Sequence, residues 1–295
     1  MNKSVLKVVT HNGRFHADDC FSVATLKLVL GEIELIRTRD PEIIVQGDIV
    51  LDIGGIYNEG LGRFDHHQKE GAGFRENGIP YASFGLIWKK YGNALCQSEE
   101  IASYIDKTLV APIDAIDNGV ALMTPLREDV LPVLIQQIMS LYSPAWNEQD
   151  RTYDQGFDEM VLYAQKILER AIVHAKAYVQ AEALVEGVYK NSSDKQIIVL
   201  EDRYPYLVLQ AHPEVLFVVL PSSEGDNWKV DAVPQLKESF SPRKKFPESW
   251  AGKRDKELQD ITGVPDAVFC HKALFMAVAG SKEGALKLAD LALKN

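Results

Sequence analysis

The sequence predicts an α/β protein: an N-terminal parallel-sheet domain over residues 1–150, a long connecting helix over 151–190 and a smaller C-terminal α+β domain over 191–295. Three observations carry that reading. Short β-branched apolar runs alternate with helically spaced apolar residues in the first half of the chain. An amphipathic stretch follows that contains no Pro or Gly between Gly156 and Gly187. Beyond residue 191 the texture changes to short apolar runs separated by polar turns.

Taken in order, residues 5–10 form a β-branched apolar run that reads as a strand. Residues 18–30 place Phe21, Ala24 and Leu28 at helical spacing before Gly31 stops the pattern. Residues 34–38 and 48–53 read as two further strands. The second is a nearly continuous Ile-Val-Leu run bounded by Gly54-Gly55, as expected of a strand buried on both faces. Helical patterns follow at 82–91 and 98–110. Over 157–185 apolar residues recur every three or four positions, which predicts one helix of about 45 Å at 1.5 Å per residue. The polar cluster Asn191-Ser192-Ser193-Asp194 opens the second domain. Its strands are expected at 196–200, 206–210, 215–220, 228–233 and 267–271, followed by 275–279 and a terminal helix from Lys282 capped by Ser281.

Composition narrows the function. With 46% hydrophobic and 25% charged residues over 295 positions, the chain is neither disordered, collagen-like nor a disulfide framework. Lys+Arg 32 against Asp+Glu 42 leaves a net charge of −10, which excludes a general nucleic-acid coat. An anionic substrate must therefore be held locally, by metal ions or one basic patch. Cys20, Cys96 and Cys270 form no CxxC pair, and a reducing compartment is expected. The first apolar run is too short for a signal peptide and no later one reaches a membrane span, so a cytoplasmic location without membrane partners is expected.

The histidines carry the chemistry. Four of seven, His11, His16, His66 and His67, lie in the first 67 residues, each within a few residues of an aspartate. Residues 10–19 sit where a strand passes into a helix, the loop position at which open α/β sheets gather ligands. Asp52 ends another strand between Leu51 and Ile53, where a carboxylate is costly unless paired or metal-bound. Asp65-His66-His67 follows the strand-like Gly62-Arg63-Phe64, and Asp114-x-x-Asp117-Asn118-Gly119 ends a helical stretch. Imidazole and carboxylate donors without thiolates suit Mn²⁺, with Mg²⁺, Co²⁺ or Zn²⁺ as alternatives. A plainer reading makes a strand-end Asp a helix cap or turn residue, and one of Asp114 and Asp117 a cap beside a ligand. Together the groups favour a polynuclear metal site.

In order and spacing, His11/His16/Asp18, Asp52, Asp65-His66-His67 and Asp117 are similar to the four motifs of the DHH phosphoesterase superfamily. Closer still, Thr10-His11-x-Gly13-x-Phe15-His16-Ala17-Asp18-Asp19, Asp52-Ile53-Gly54-Gly55, Phe64-Asp65-His66-His67-Gln68 and Ile116-Asp117-Asn118-Gly119 resemble the melanocyte-proliferating-gene family of metal-dependent hydrolases. Phe240-x-x-Arg243, Pro247-x-x-Trp250, Phe269-Cys270-His271 and Lys282-Glu283-Gly284-Ala285 extend the likeness over the tail. The resemblance implies two divalent metal ions, with Asp52 bridging them, His11 and His16 completing one, and Asp18, His66 and Asp117 the other. It makes Asp65 the residue that orients the neighbouring histidine, and His67 the group facing the scissile phosphate.

The activity so implied is 3′–5′ exonuclease action on short single-stranded RNA or oligonucleotides, through water activated by the metal pair. A phosphatase or pyrophosphatase for a small phosphorylated metabolite is the enzymic alternative, and a metal-containing binding protein without catalysis the other. Substrate contacts are expected from the second domain across an interdomain cleft. Residues 237–272 hold eight Lys/Arg against six acids. Within them Arg243, Lys244 and Lys245 with Phe240, Phe246 and Trp250 offer phosphate and base contacts, or else a solvated loop over buried aromatics. His271 and Lys272 are further phosphate candidates. The long helix offers a surface for homo-oligomerisation.

Overall fold

The computed structural model describes residues 5–127, 129–223, 225–235 and 241–295; Lys237 and Phe240 of the basic stretch lie outside them. Residues 1–176 and 177–295 form two compact units, with the boundary inside the long helix.

The first unit begins with β1 (Leu6–Thr10), α1 (Ala17–Leu30), β2 (Ile33–Arg37), α2 (Pro41–Ile44), β3 (Ile49–Leu51), β4 (Tyr57–Asn58) and β5 (Arg63–Phe64). It continues with α3 (Ser83–Cys96), α4 (Glu99–Ile105), a π-helical turn, α5 (Ala111–Asp117), α6 (Ile135–Ser140) and the start of α7 (Tyr153–Asn191). Its sheet runs β2-β1-β3-β5-β4, parallel throughout except for the antiparallel edge strand β4. Val8, Val9, Val50, Leu51 and Phe64 are wholly buried, as parallel strands covered on both faces require. Helix α1 packs on α3 through Phe21 and Phe84, whose rings lie 5.2 Å apart. Helix α2 starts at Asp40, whose side chain accepts from Glu42 N, with Pro41 supplying the preset φ of a first helical turn.

Helix α7 is longer than its apolar pattern indicates: it runs 39 residues and passes through both Gly156 and Gly187. A glycine costs a helix only about 1 kcal/mol relative to alanine. The buried face of Phe157, Met160, Val161, Ala164, Leu168, Ala175, Ala181 and Val185 outweighs that. Gly156 is required by a close approach, since a Cβ there would meet the Tyr142 carbonyl oxygen at 2.2 Å.

The second unit contains β6 (Ile197–Val199), β7 (Phe217–Pro221), β8 (Trp228–Ala232), α8 (Asp255–Thr262), β9 (Ala267–Cys270), β10 (Met276–Ala279) and α9 (Lys282–Lys294). Its sheet runs β6-β7-β8-β10-β9, with β6 and β7 parallel and the other pairs antiparallel. The two-residue alternation of β7 serves two cores: Phe217 and Val219 pack with Phe246, Trp250 and Leu288, whereas Val218 and Leu220 pack with Ile198, Leu200 and Val185. Ser281 caps α9 by accepting from Gly284 N at 3.0 Å.

One reading of this unit is corrected and one element is added. Residues 206–210, expected as a strand, lie instead at the 3₁₀ turn Leu207–Ala211. The Arg243 guanidinium donates to the carbonyls of Gln210, His212 and Val215 at 2.6, 2.6 and 2.9 Å, gathering oxygens that a strand would point to alternate sides. Helix α8 is an addition: only Leu258 of its eight residues is buried, so it leaves almost no apolar periodicity to read. Among the described residues, no helix is long and apolar enough to cross a membrane.

Gly156→Ala is expected to lower stability by about 1–3 kcal/mol through overpacking against Tyr142, the reverse of the gain that alanine gives in an open helix. Urea unfolding of the full chain measures it, and a stabilised variant contradicts the packing described.

Candidate metal centre

β1, β3 and β5 are adjacent and parallel, so their carboxyl ends emerge on one edge of the sheet. Each releases polar side chains there: His11 follows Thr10, Asp52 follows Leu51, and Asp65-His66-His67 follow Phe64. β2 lies on the other side of β1 from β3, which makes this edge the topological switch point where open sheets form ligand crevices. The first turn of α1 adds Asp18 and Asp19, and the last residue of α5 adds Asp117.

Asp52 is the common element. It is 5% exposed and its backbone is left-handed, with φ +53°, a conformation costing a non-glycine residue about 1–3 kcal/mol. Its Oδ2 lies 3.2 Å from His11 Nε2 and its Oδ1 3.4 Å from His66 Nε2. His66 Nε2 is also 3.3 Å from Asp117 Oδ2. Donor atoms of His11, His16 and Asp52 lie within 4.8 Å of one another, as do those of Asp18, His66 and Asp117 and those of Asp52, His66 and His67. The six side chains that the resemblance assigns to metal therefore converge, with Asp52 and His66 each belonging to two sets.

The donor set fits a divalent cation. Asp52 Oδ1, Asp19 Oδ2 and His66 Nε2 are buried and make no well-formed hydrogen bond, the state of ligand atoms facing one another across a position for an ion. Carboxylate oxygens and imidazole nitrogens without sulfur suit Mn²⁺ or a similar ion. His11, His16 and Asp52 would hold one ion, and Asp18, His66 and Asp117, with Asp52, a second.

Surrounding groups fix these donors. Asp18 is fully buried and accepts from Phe84 N at 2.7 Å and Ser83 N at 3.2 Å, at the N-terminus of α3. Burial, then the nearby Asp117 and Asp52, push its carboxyl well above the ordinary range. Asp114 takes the next amide, Gly85 N, at 3.0 Å and pairs with Arg75 at 2.7 Å, while Arg75 also grips Asp106 at 2.9 and 2.8 Å. Gly85 is needed for this approach, because a Cβ there would lie 1.8 Å from Asp114 Oδ2. Of the two acids on α5, Asp114 thus anchors scaffold and Asp117 faces the cluster.

Asp65 holds His67: its Oδ1 lies 2.7 Å from His67 Nδ1 and accepts from His67 N at 3.2 Å, while Oδ2 accepts from Gly55 N. The Asp65 contact raises the His67 imidazole against the opposing effect of burial. Burial would raise Asp65 itself, but the His67 and Gly55 bonds hold it below the usual carboxylate range. His67, with its side chain 62% exposed, lines a cavity of about 310 Å³ together with His11, His16, Asp52, Asp65 and Arg39.

Sequence reasoning placed Asp19 in the motif without giving it a role. It accepts from His16 N at 2.8 Å and sets its other oxygen 3.3 Å from His11 Nε2. Burial, then Asp52, raise it to about 7. Its position three residues after the His16 N-cap, an acid closing a capping box, was the available signal. Arg243, His271 and Lys272 belong to the second unit. Arg243 is spent on its three carbonyls. His271 Nδ1 accepts from Ala273 N at 3.1 Å beside the Phe275 ring, and Lys272 is exposed. Phe246 and Trp250 are core residues, so the reading of buried aromatics holds over a base-stacking platform.

Burial alone would lower the His66 imidazole, but contacts with Asp117 and Asp52 outweigh it and raise it to about 11. The metal-free chain at neutral pH therefore carries a His66 proton that a ligating imidazole must lose. Mn²⁺ binding at pH 7 is expected to release about one proton or more, read from calorimetric heats in buffers of different ionisation enthalpy. A raised pKa stabilises fully below its unfolded value, 6.5 for His66, and the contribution fades as pH rises through about 11. In chelator, Tm should thus fall from pH 7 to 11; buffer-independent heats or a rising Tm contradict the cluster described.

Comparison with known proteins gives the chain a family. A family model described as "Uncharacterised protein family (UPF0160)", MYG1_exonuc, matches residues 7–293. The MYG1 exonuclease of Mus musculus is 31% identical over 97% of this chain and 84% of its own length. The Homo sapiens MYG1 exonuclease is 30% identical over 97% and 85%, and the Dictyostelium discoideum MYG1 protein 30% over 97% and 96%. No solved structure matches the chain. With the family model and these relatives matched along nearly its whole length, the chain belongs to the MYG1 exonuclease family.

Proposed function

We propose that this chain is a DHH-type, metal-dependent phosphoesterase that removes nucleotides in the 3′–5′ direction from short single-stranded RNA or oligonucleotides. The observation that carries the reading is Asp52, a buried carboxylate shared between two sets of N/O donors at a sheet switch point. The exonuclease name borne by the mouse and human relatives supports the substrate class. Two ions, manganese first and magnesium or cobalt as substitutes, would be held by His11, His16 and Asp52 and by Asp18, His66 and Asp117. Bound there, such a pair lowers the pKa of water and neutralises charge on a phosphoryl group.

The side chains supply the rest. His67, whose Nδ1 is tied to Asp65, keeps Nε2 as its free ring nitrogen and serves as the proton donor to the leaving oxygen. Asp65 is its positioning residue. Ser83 and Phe84 amides hold Asp18, so that its carboxylate keeps one orientation through turnover. In the second unit His271 and Lys272 are proposed phosphate contacts, and Arg243 acts by holding the segment at residues 210–215. The net charge of −10 favours short substrates over long duplexes. The free, buried cysteines fit a reducing, cytoplasmic setting.

The test is cleavage of an end-labelled short RNA in Mn²⁺, beside pyrophosphate and a generic phosphodiester. Stepwise shortening from the 3′ end is expected, abolished by chelator and reduced at least about 100-fold by His66→Ala. His67→Ala is expected to lose about 10²–10⁴-fold in kcat while still binding metal. Turnover of pyrophosphate alone would move the activity to a small-molecule phosphatase, and inactivity on all three with metal bound would favour a binding protein.

A further inference from the structure

The cavity over the centre contains a cation to which none of the roles above is assigned. Arg39 lines it together with the imidazoles and carboxylates already described. It is exposed, and among the described residues its guanidinium has no ion-pair or hydrogen-bond partner. Its neighbours in sequence are occupied elsewhere. The Arg37 guanidinium binds Asp154 and the Gly13 carbonyl and lies 4.2 Å over the Phe157 ring. The Asp40 carboxylate accepts from Glu42 N at the start of α2. Thr38 N donates to Thr10 O at 2.8 Å, which pins the backbone leading into Arg39 against the residue before His11. The scaffold thus delivers an unspent guanidinium to a cavity whose other charged groups are metal-type donors and their supports.

We infer that Arg39 is a substrate-binding residue of this centre, its guanidinium gripping non-bridging oxygens of a substrate phosphate. The inference rests on the phosphoesterase reading and deepens it by assigning an anion contact to the first unit itself. A guanidinium presents a planar fork of donors that matches phosphate oxygens two at a time, and in a partly enclosed cavity its charge is screened less than on open surface. The alternatives are poorer. An ion-pair strut needs an acid within reach, and none of the described acids pairs with Arg39. A packing role needs burial, and Arg39 is exposed.

The test measures binding apart from turnover. Anisotropy of a fluorescein-labelled five-nucleotide single-stranded RNA is followed with the full chain, once in chelator and once in Ca²⁺. Arg39→Ala is expected to weaken binding about 10–100-fold in both, as loss of a charge-assisted hydrogen-bond pair does. Arg39→Lys recovers only part, because it restores the charge without the fork. Arg14→Ala, which removes an exposed cation of the loop between β1 and α1, outside the cavity lining, is expected to change binding less than about twofold. Mn²⁺ affinity by calorimetry should be the same in Arg39→Ala and the native chain. Unchanged RNA binding in Arg39→Ala, an equal loss in Arg14→Ala, or a matching loss of Mn²⁺ affinity overturns the assignment. Failure of the phosphoesterase reading appears separately, as native chain that binds this RNA and leaves it intact in Mn²⁺.

Discussion

A carboxylate buried at the end of β3, on a backbone twisted into the left-handed region, has to be neutralised by whatever surrounds it. Asp52 meets that demand with two imidazoles, His11 on one side and His66 on the other, which hold its carboxyl well below the ordinary range despite burial. Neither imidazole is available unless β1 and β5 flank β3 in parallel, so the strand order β2-β1-β3-β5 is the condition for the site. The same order buries the strands on both faces and leaves only their ends for polar chemistry. Sheet topology and candidate chemistry are therefore one constraint seen from two sides.

Around this core the first unit arranges its polar groups so that each buried charge has a defined partner or a defined direction. The N-terminal amides of α3 divide between Asp18 and Asp114, one turned to the cluster and the other to Arg75. Arg75 in turn ties α5 to the start of the π-helical turn through Asp106. Removing one partner of such a buried pair costs about 3–5 kcal/mol, far more than an exposed pair contributes. That rigidity keeps Asp117, at the end of α5, facing His66.

Much of this was legible in the sequence where the local signal was strong. The apolar runs of β1 and β3 and the Ser281 cap of α9 announced their elements, and the six donor residues stood out as His and Asp at the ends of strands and helices. What escaped depended on partners distant in sequence. Residues 206–210 are apolar enough for a strand, yet the Arg243 fork curls them, and nothing local reports an arginine more than thirty positions away. The apolar pattern over 157–185 understates α7, which runs through Gly156 because the close approach of Tyr142 makes that glycine a requirement of packing. Arg39 escaped for the same reason, its direction in space being set by the Thr38–Thr10 bond, whereas the Asp19 signal was local, a capping-box position behind a histidine N-cap, and went unread.

The central claim, that Asp52 is shared by two metal ions, is tested most directly by anomalous diffraction from crystals grown with Mn²⁺. The account requires two manganese peaks about 3.5–4 Å apart, both within bonding distance of the Asp52 carboxylate, with His11 and His16 on one and Asp18, His66 and Asp117 on the other. A single peak, or two of which neither touches Asp52, would contradict it.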